Sequence, residues 1–452
     1  VNERPLSIAL VSREYPPFFG GGIGTYARWI VPALAAAGVR IHVVTEAHDR
    51  SNPRIELTGM VTVHRVPLAL GRGGWTSAAA RFSINAGRKV AELSRRGEID
   101  AAEFAECEGA AAALLLMRGS GPRVPTVVHL HTPSEMLHEL RSLAARALDA
   151  SLGAYIQGER LALRLADQIC APSRFIADWA RQHYGLAETP VVIPYAIGPA
   201  PEAPPQTSDS RVLYVGRIEP RKGVESLIHA WKQVVSHRTD ARLRLAGADT
   251  SGAPDGGSLK AYLLSLLSET ERPTVQFTGR LRPDELADEY AAAAVCVVPS
   301  LWENFPNTCI EALTSARPVV VSDNGGMAEM IEGTDAGTVF AAGDPDSLAR
   351  ALSEMLDESP QRRAARGRAG RERILSMCDP DRVAAQRIEL YRRTMRRCHE
   401  ASHSADGSSA LLAEWRRCEG LLQGRTDSMA MPPLGGGIAR WITPAQPSEV
   451  PA

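Results

Sequence analysis

Pro299-Ser300-Leu301-Trp302-Glu303-Asn304-Phe305-Pro306-Asn307-Thr308-Cys309-Ile310-Glu311-Ala312 closes a short apolar run, Val295–Pro299, and leads into a helical pattern over Asn307–Ala316. A buried run that ends in a polar loop and continues as a helix is the repeating unit of a parallel α/β sheet. Seven residues separate Glu303 from Glu311. The spacing puts Glu303 on the loop, Asn307 at the helix N-cap and Glu311 about one turn into the helix. Both carboxylates can then face one ligand, with the positive end of the helix between them. Carboxylates suit vicinal hydroxyls, and a helix N-terminus suits a phosphate.

The same alternation extends outward in both directions. Arg211–Gly216, Leu243–Ala246, Val275–Gly279, Val319–Ser322 and Thr338–Phe340 read as further strands of one set, with a helix over Gly223–Val235. Upstream, Leu6–Ser12, Ile41–Glu46, Val61–Val66, Thr126–His131, Gln168–Ser173 and Val191–Ile197 form a second set, with helical patterns at Gly24–Ala37 and Leu143–Ala166. Gly198–Ser210, rich in Pro, Ser and Asp, separates the sets as a linker. The reading is two doubly wound α/β domains with a cleft between them. Val383–Arg397 has the pattern of an amphipathic, Arg-rich helix, Ser409–Gln423 of a further one, and Thr426–Ala452 of a loose tail.

Composition excludes several classes. The chain has 452 residues and a formal net charge of −1, so no global field draws it to nucleic acid or anionic lipid. Seven dispersed cysteines, with no Cys-x-x-Cys pair, argue against a disulfide framework or a zinc site and for a reducing cytoplasm. Neither a signal-peptide pattern nor a long apolar run is visible, so no integral membrane segment is expected, and peripheral contact stays open. Asp344-Pro345-Asp346 and Asp379-Pro380-Asp381 read as helix starts rather than metal ligands, so no metal site is expected.

Two more loops follow strands. Gly20-Gly21-Gly22-Ile23-Gly24-Thr25 opens a helix and suits an anion or sugar, or serves as a turn. With Glu46 ending the second strand, this half alone also admits an NAD-binding oxidoreductase. Val215-Gly216-Arg217-Ile218-Glu219-Pro220-Arg221-Lys222-Gly223 places three cations after a strand, which suits a diphosphate.

Taken together, Glu303 with Glu311, the Arg217…Lys222-Gly223 loop and the run through Pro318, Gly325, Gly326 and Glu329 resemble the retaining GT-B glycosyltransferases of family four, in order and spacing across roughly residues 5–375. The resemblance implies two Rossmann-like domains facing across a cleft. Residues 1–198 would be the acceptor-side domain, 199–210 the linker and 211–378 the nucleotide-sugar domain. Residues 379–425 would be helices crossing back to the first domain, and 426–452 the tail.

It further implies that Arg217 and Lys222, beside Gly216, hold the donor diphosphate, that Glu311 binds the ribose and that Glu303 contacts the transferred sugar. Phe305, Pro306, Asn307 and Thr308 would embrace sugar and phosphate. Gly21, Gly22 and Gly24 would approach from the other domain, and Arg280 and Leu281 would lie beside the base. A histidine near the transferred sugar is implied at the end of the Thr126–His131 strand. His129 and His131 share a face there, and nearness to the sheet edge favours His131. Where the family often has Asn-Gly after Ile-Pro, this chain has Tyr195-Ala196.

The expected activity is front-face transfer, with retention and without a metal ion or cofactor, from a UDP or GDP sugar to a small-molecule or glycan acceptor. Competing readings are a nucleotide-sugar epimerase or hydrolase on the same fold, the NAD oxidoreductase, and a non-catalytic nucleotide-sugar-binding subunit.

Overall fold

A computed structural model describes residues 4–18, 21–48, 55–67, 78–120, 123–139, 150–200, 204–205 and 209–403. Gly20, the Leu70–Ser77 stretch, half of the linker, the Ser409–Gln423 pattern and the tail lie outside them. Contacts group the described chain into two units, one running to Gly198 and including Pro380–His403, the other spanning Pro199–Asp379.

The first unit is built on eight strands. They are β1 (Ser7–Val11), β2 (Arg40–Ala47), β3 (Ile55–Thr58), β4 (Val61–Pro67), β5 (Ala101–Ala105), β6 (Thr126–His129), β7 (Gln168–Ala171) and β8 (Val191–Val192), in the order β3-β4-β2-β1-β5-β6-β7-β8. All neighbours are parallel except β3 and β4. The chain lays strands outward from β1 on one side, then returns to its other side at β5. That reversal opens a crevice at the carboxyl end of β1. β1 and β5 are buried throughout, as expected of strands covered on both faces.

The second unit repeats the plan. β9 (Arg211–Val215), β10 (Arg242–Ala246), β11 (Val275–Gly279), β12 (Val295–Val298), β13 (Val319–Ser322) and β14 (Gly337–Phe340) stand in the order β11-β10-β9-β12-β13-β14, all parallel. Here the order reverses at β9. The helix Val224–His237 lays Leu227, Ile228, Trp231 and Val234 into the core at helical spacing. Trp231 Nε1 donates to Thr274 Oγ1 over 2.9 Å, so this indole is buried with its polar handle satisfied. Buried Arg317 ties the linker to the unit, donating to the carbonyls of Pro204 (2.6 Å) and Pro205 (2.8 Å).

The helix Pro380–His403 belongs to the first unit. Val383, Ala384, Arg387, Leu390, Tyr391, Thr394 and Cys398 form its buried stripe. It packs on the helix Gly22–Ala36 and reaches β5 and β6.

Several sequence expectations shift. β3 and β5 carry too short or too Ala-rich a pattern to stand out. The expected Val191–Ile197 strand pairs only over Val191–Val192, because the chain leaves the sheet at Ile193-Pro194. β6 stops at His129, so His131 lies beyond the ladder. Asn307 is not the N-cap. Pro306 holds that place in extended conformation, and Asn307 is the first helical residue. Asp344 does cap its helix, accepting from the N–H groups of Asp346 and Ser347, with Pro345 following. No helix of the described residues is long and apolar enough to cross a membrane, and the six described cysteines are free thiols.

Candidate active site

The loops leaving β9 and β12 meet at the reversal point of the second sheet. Gly223 sits between them in the left-handed region, φ 66°, where a Cβ would fall 1.9 Å from the Pro299 carbonyl oxygen. Only glycine allows both that backbone shape and that approach. The Leu301 N–H then donates to the Arg221 carbonyl over 2.9 Å, locking one loop to the other.

That lock carries Glu303 to the cations. Arg221 Nη1 donates to Glu303 Oε1 over 2.9 Å, and Lys222 Nζ makes a close ion pair with the same oxygen. Burial pushes the Glu303 carboxyl up, but Lys222 and Arg221 outweigh it and hold the group below its ordinary value. Glu303 is therefore an anion at neutral pH. Behind it, Gly325 (φ 137°) passes so close that a Cβ would lie 1.8 Å from the Glu303 carbonyl. The Gly326 N–H donates to the carbonyls of Glu303 (3.1 Å) and Asn304 (2.9 Å). Gly325 and Gly326 thus support the Glu303 loop, while Pro318 precedes β13 and Glu329 lies on the helix Met327–Ile331.

Arg217 behaves differently from its neighbours. Its side chain is 65% exposed and pairs with Glu219 over 3.1 Å, whereas those of Arg221 and Lys222 are 18% and 16% exposed. Arg221 was one of three cations in the sequence motif, and the fold alone distinguishes it: it bridges Glu219 and Glu303. Gly216 closes β9, its N–H donating to the Ala246 carbonyl.

Glu311 stands on the helix Asn307–Thr314, where the Cys309 and Ile310 N–H groups donate to the Pro306 carbonyl over 3.0 and 3.3 Å, leaving the N–H groups of Asn307 and Thr308 to the open end. Tyr290 donates to Glu311 Oε2 over 2.9 Å. Burial raises the Glu311 carboxyl, and the Tyr290 bond offsets part of that. The two glutamates thus have opposite environments, one clamped by cations and one held by a phenol. Trp302, Phe305 and Pro306 are buried, while Asn307 and Thr308 are partly accessible. Arg280 (exposed) and Leu281 follow β11.

In the first unit, Gly21 is the N-cap of the helix Gly22–Ala36. Gly21 and Gly22 are exposed, and Gly24 is buried in the first turn. His131 is buried, with Nδ1 2.8 Å from the Tyr195 hydroxyl. Its ring lies 4.4 Å from that of His129 and 5.0 Å from that of Tyr26, centre to centre. Burial, and then Arg387, bring the His131 imidazole down to about 3, so it is neutral. His129 is shifted down by the same causes and is engaged elsewhere: Arg387 Nη2 lies 3.0 Å from its Nε2. The fold therefore separates two histidines that the sequence left together. Tyr195, at the departure from Asn-Gly, is the partner of His131. Arg221, Tyr290 and Tyr195 are contacts that spacing alone could not assign.

Comparison with known proteins bears on the family and the fold. Residues 20–199 match the family described as Glycosyltransferase Family 4, and residues 209–358 match Glycosyl transferases group 1. Glycogen synthase of Mycobacterium tuberculosis is 28% identical over 405 residues, covering 85% of this chain and 94% of that protein. D-inositol 3-phosphate glycosyltransferase of Nocardiopsis dassonvillei is 26% identical over 423 residues, covering 86% and 94%. The structure of sucrose-phosphate synthase from Thermosynechococcus elongatus superposes with a TM-score of 0.67 at 24% identity, over 86% of this chain and 98% of that one, and shares its fold. This chain is a glycosyltransferase of the GT-B fold and belongs to family four.

Proposed function

We propose that the chain transfers a sugar from a UDP or GDP sugar to a hydroxyl acceptor with retention at the anomeric carbon and without a metal ion. The carrying observation is the Lys222–Glu303–Arg221 cluster at the carboxyl edge of β9 and β12, next to the start of the helix Asn307–Thr314. In this reading Lys222 and Arg217 hold the diphosphate, and the helix terminus adds N–H donors. These groups meet the charge that grows on the leaving group. Glu303, kept ionised, accepts from hydroxyls of the transferred sugar, and Arg221 orients it. Glu311 takes the ribose hydroxyls, with Gly216, Phe305, Pro306, Asn307 and Thr308 shaping the backbone around sugar and phosphate. Arg280 and Leu281 flank the base. Gly21, Gly22 and Gly24 offer close backbone approach on the first unit.

In the same reading His131, neutral and hydrogen-bonded to Tyr195, serves the transferred sugar as a polar contact rather than a cation. The attacking hydroxyl enters from the face the diphosphate leaves, so no covalent enzyme intermediate is formed. The new glycosidic bond replaces the bond to phosphate, and the acceptor proton goes to the departing diphosphate. The relatives carry names with different products, so they leave donor and acceptor to experiment.

The test is a panel of UDP and GDP sugars with and without acceptors, in EDTA, reading nucleoside diphosphate release and product anomer. Acceptor-dependent release that survives EDTA, with the anomeric configuration kept, is expected. Strict Mn²⁺ or Mg²⁺ dependence, inversion, or equal donor consumption without acceptor would overturn the reading.

A further inference from the structure

The first unit has its own crevice where the strand order reverses. A cavity of about 270 Å³ lies over the carboxyl ends of β1, β2 and β5. Its floor is Val11 and Ala105, and Ile23, Ala79 and Phe82 form apolar walls. The volume is close to the lower end of small-ligand pockets, about 300–1,000 Å³. It is large enough to take a sugar ring.

The polar lining has a definite sign. Arg13 sets Nε 2.5 Å from Glu46 Oε2 and Nη1 2.5 Å from Glu108 Oε2, so one guanidinium spans the crevice from the end of β2 to the loop after β5. Glu14 adds a third carboxylate, accepting from the Gly21 N–H over 3.0 Å. His48 completes the rim, its Nδ1 3.8 Å from Glu46 Oε1. Glu46 and Glu108 therefore set two carboxylates around one guanidinium that they already share. Such a lining offers acceptors to hydroxyl groups and apolar walls to the C–H faces of a ring. Toward a phosphate it offers net repulsion.

We propose that this cavity seats the acceptor and selects a polyol bearing no negative charge, rejecting acceptors whose phosphate would enter it. Glu46 and Glu108 accept from its hydroxyls, and Arg13 fixes both carboxylates in place. The assignment of an acceptor here rests on the glycosyl-transfer reading above.

The test uses the full chain and matched pairs: D-glucose, D-mannose, maltose and myo-inositol against D-glucose 6-phosphate, D-mannose 6-phosphate, maltose 1-phosphate and inositol 3-phosphate. Binding is read by saturation-transfer NMR and calorimetry, in the presence of UDP or GDP. Nucleoside diphosphate release from the donor sugars, run alongside, tests the transfer reading separately, whatever the polyols do. At least one neutral polyol should bind, about tenfold or more tighter than its phosphate ester. Glu46→Gln and Glu108→Gln should narrow that ratio severalfold while leaving nucleotide affinity unchanged. A phosphate ester that binds as tightly as its neutral partner, no binding by any neutral polyol, or a ratio that neither variant moves would each overturn the proposal. The wild-type ratio decides the matter even if a variant fails to fold.

Discussion

Arg387 meets Glu103 across 284 positions of sequence: Nη1 lies 3.2 Å from Oε2, and both side chains are buried. The Tyr391 hydroxyl donates to the same oxygen over 2.6 Å, and Tyr26 to the other over 2.5 Å. Arg387 also donates to Cys170 Sγ over 2.8 Å. This network fastens the helix Pro380–His403 to the first sheet and encloses His129. Taking two charges from water is repaid only when every lone pair and proton is matched, as it largely is for this carboxylate.

Breaking the pair from one side leaves an uncompensated buried charge. Arg387→Met and Glu103→Gln should each cost about 3–5 kcal/mol. The double variant should cost less than the sum of the two, because it removes both charges. Urea denaturation of the three variants measures the coupling. Strictly additive losses would show that the two groups do not act as a pair.

The two glutamates should separate by ligand. Glu311→Ala is expected to weaken the bare nucleoside diphosphate and the nucleotide sugar alike, since the ribose is in both. Glu303→Ala should spare the nucleoside diphosphate and impair the intact donor. Arg221→Met should follow Glu303→Ala, whereas Lys222→Met should lower turnover and the affinity for both ligands. A charge-assisted bond of roughly 1.5–3 kcal/mol corresponds to about 10- to 150-fold. Calorimetry with each ligand reads the pattern, and equal losses on both ligands for Glu303→Ala would refute the assignment.

Gly223→Ala tests the loop lock. Its backbone has φ 66° and its Cβ would fall 1.9 Å from the Pro299 oxygen. Gly38 has a similar φ of 83° with nothing within 4 Å of its Cβ, so Gly38→Ala is the control for backbone strain alone. The control should lose about 1–2 kcal/mol. Gly223→Ala should lose more, and should also weaken donor binding because Arg221 and Leu301 must part. Thermal melts and calorimetry compare them, and equal behaviour would remove the steric argument.

Glu106 gives a pH dependence with a definite sign. Burial, and then the Glu159 carboxylate, push it up to about 8, while the Thr132 N–H donates to it over 2.5 Å. The folded state therefore holds a proton that the unfolded chain, with its ordinary carboxyl near 4.5, has released. Its contribution to stability is complete below about pH 4.5 and is lost as pH rises through 8. Glu106→Gln should melt increasingly higher than the wild type from pH 5 to pH 9. A shift of about 2–4 °C corresponds to each kcal/mol in a domain of this size. A constant difference across that range would contradict the buried neutral carboxyl.

Much of this architecture is local information. Apolar runs such as Val295–Val298 and Val319–Ser322, punctuated by glycine-bearing loops, specify parallel strands because a strand buried on both faces needs side chains that are apolar without alternation. Gly223, Glu303 and Glu311 are legible for the same reason: turn chemistry and helix starts depend on neighbours in sequence. What the tertiary structure decides is pairing over long separations. Arg221 rather than Arg217 meets Glu303, His129 turns to Arg387 while His131 turns to Tyr195, and Glu108 reaches Arg13. Each choice is made by which strand ends the sheet brings together. Electrostatic and hydrogen-bonding energies depend on distances of a few ångströms, which no spacing within one segment fixes.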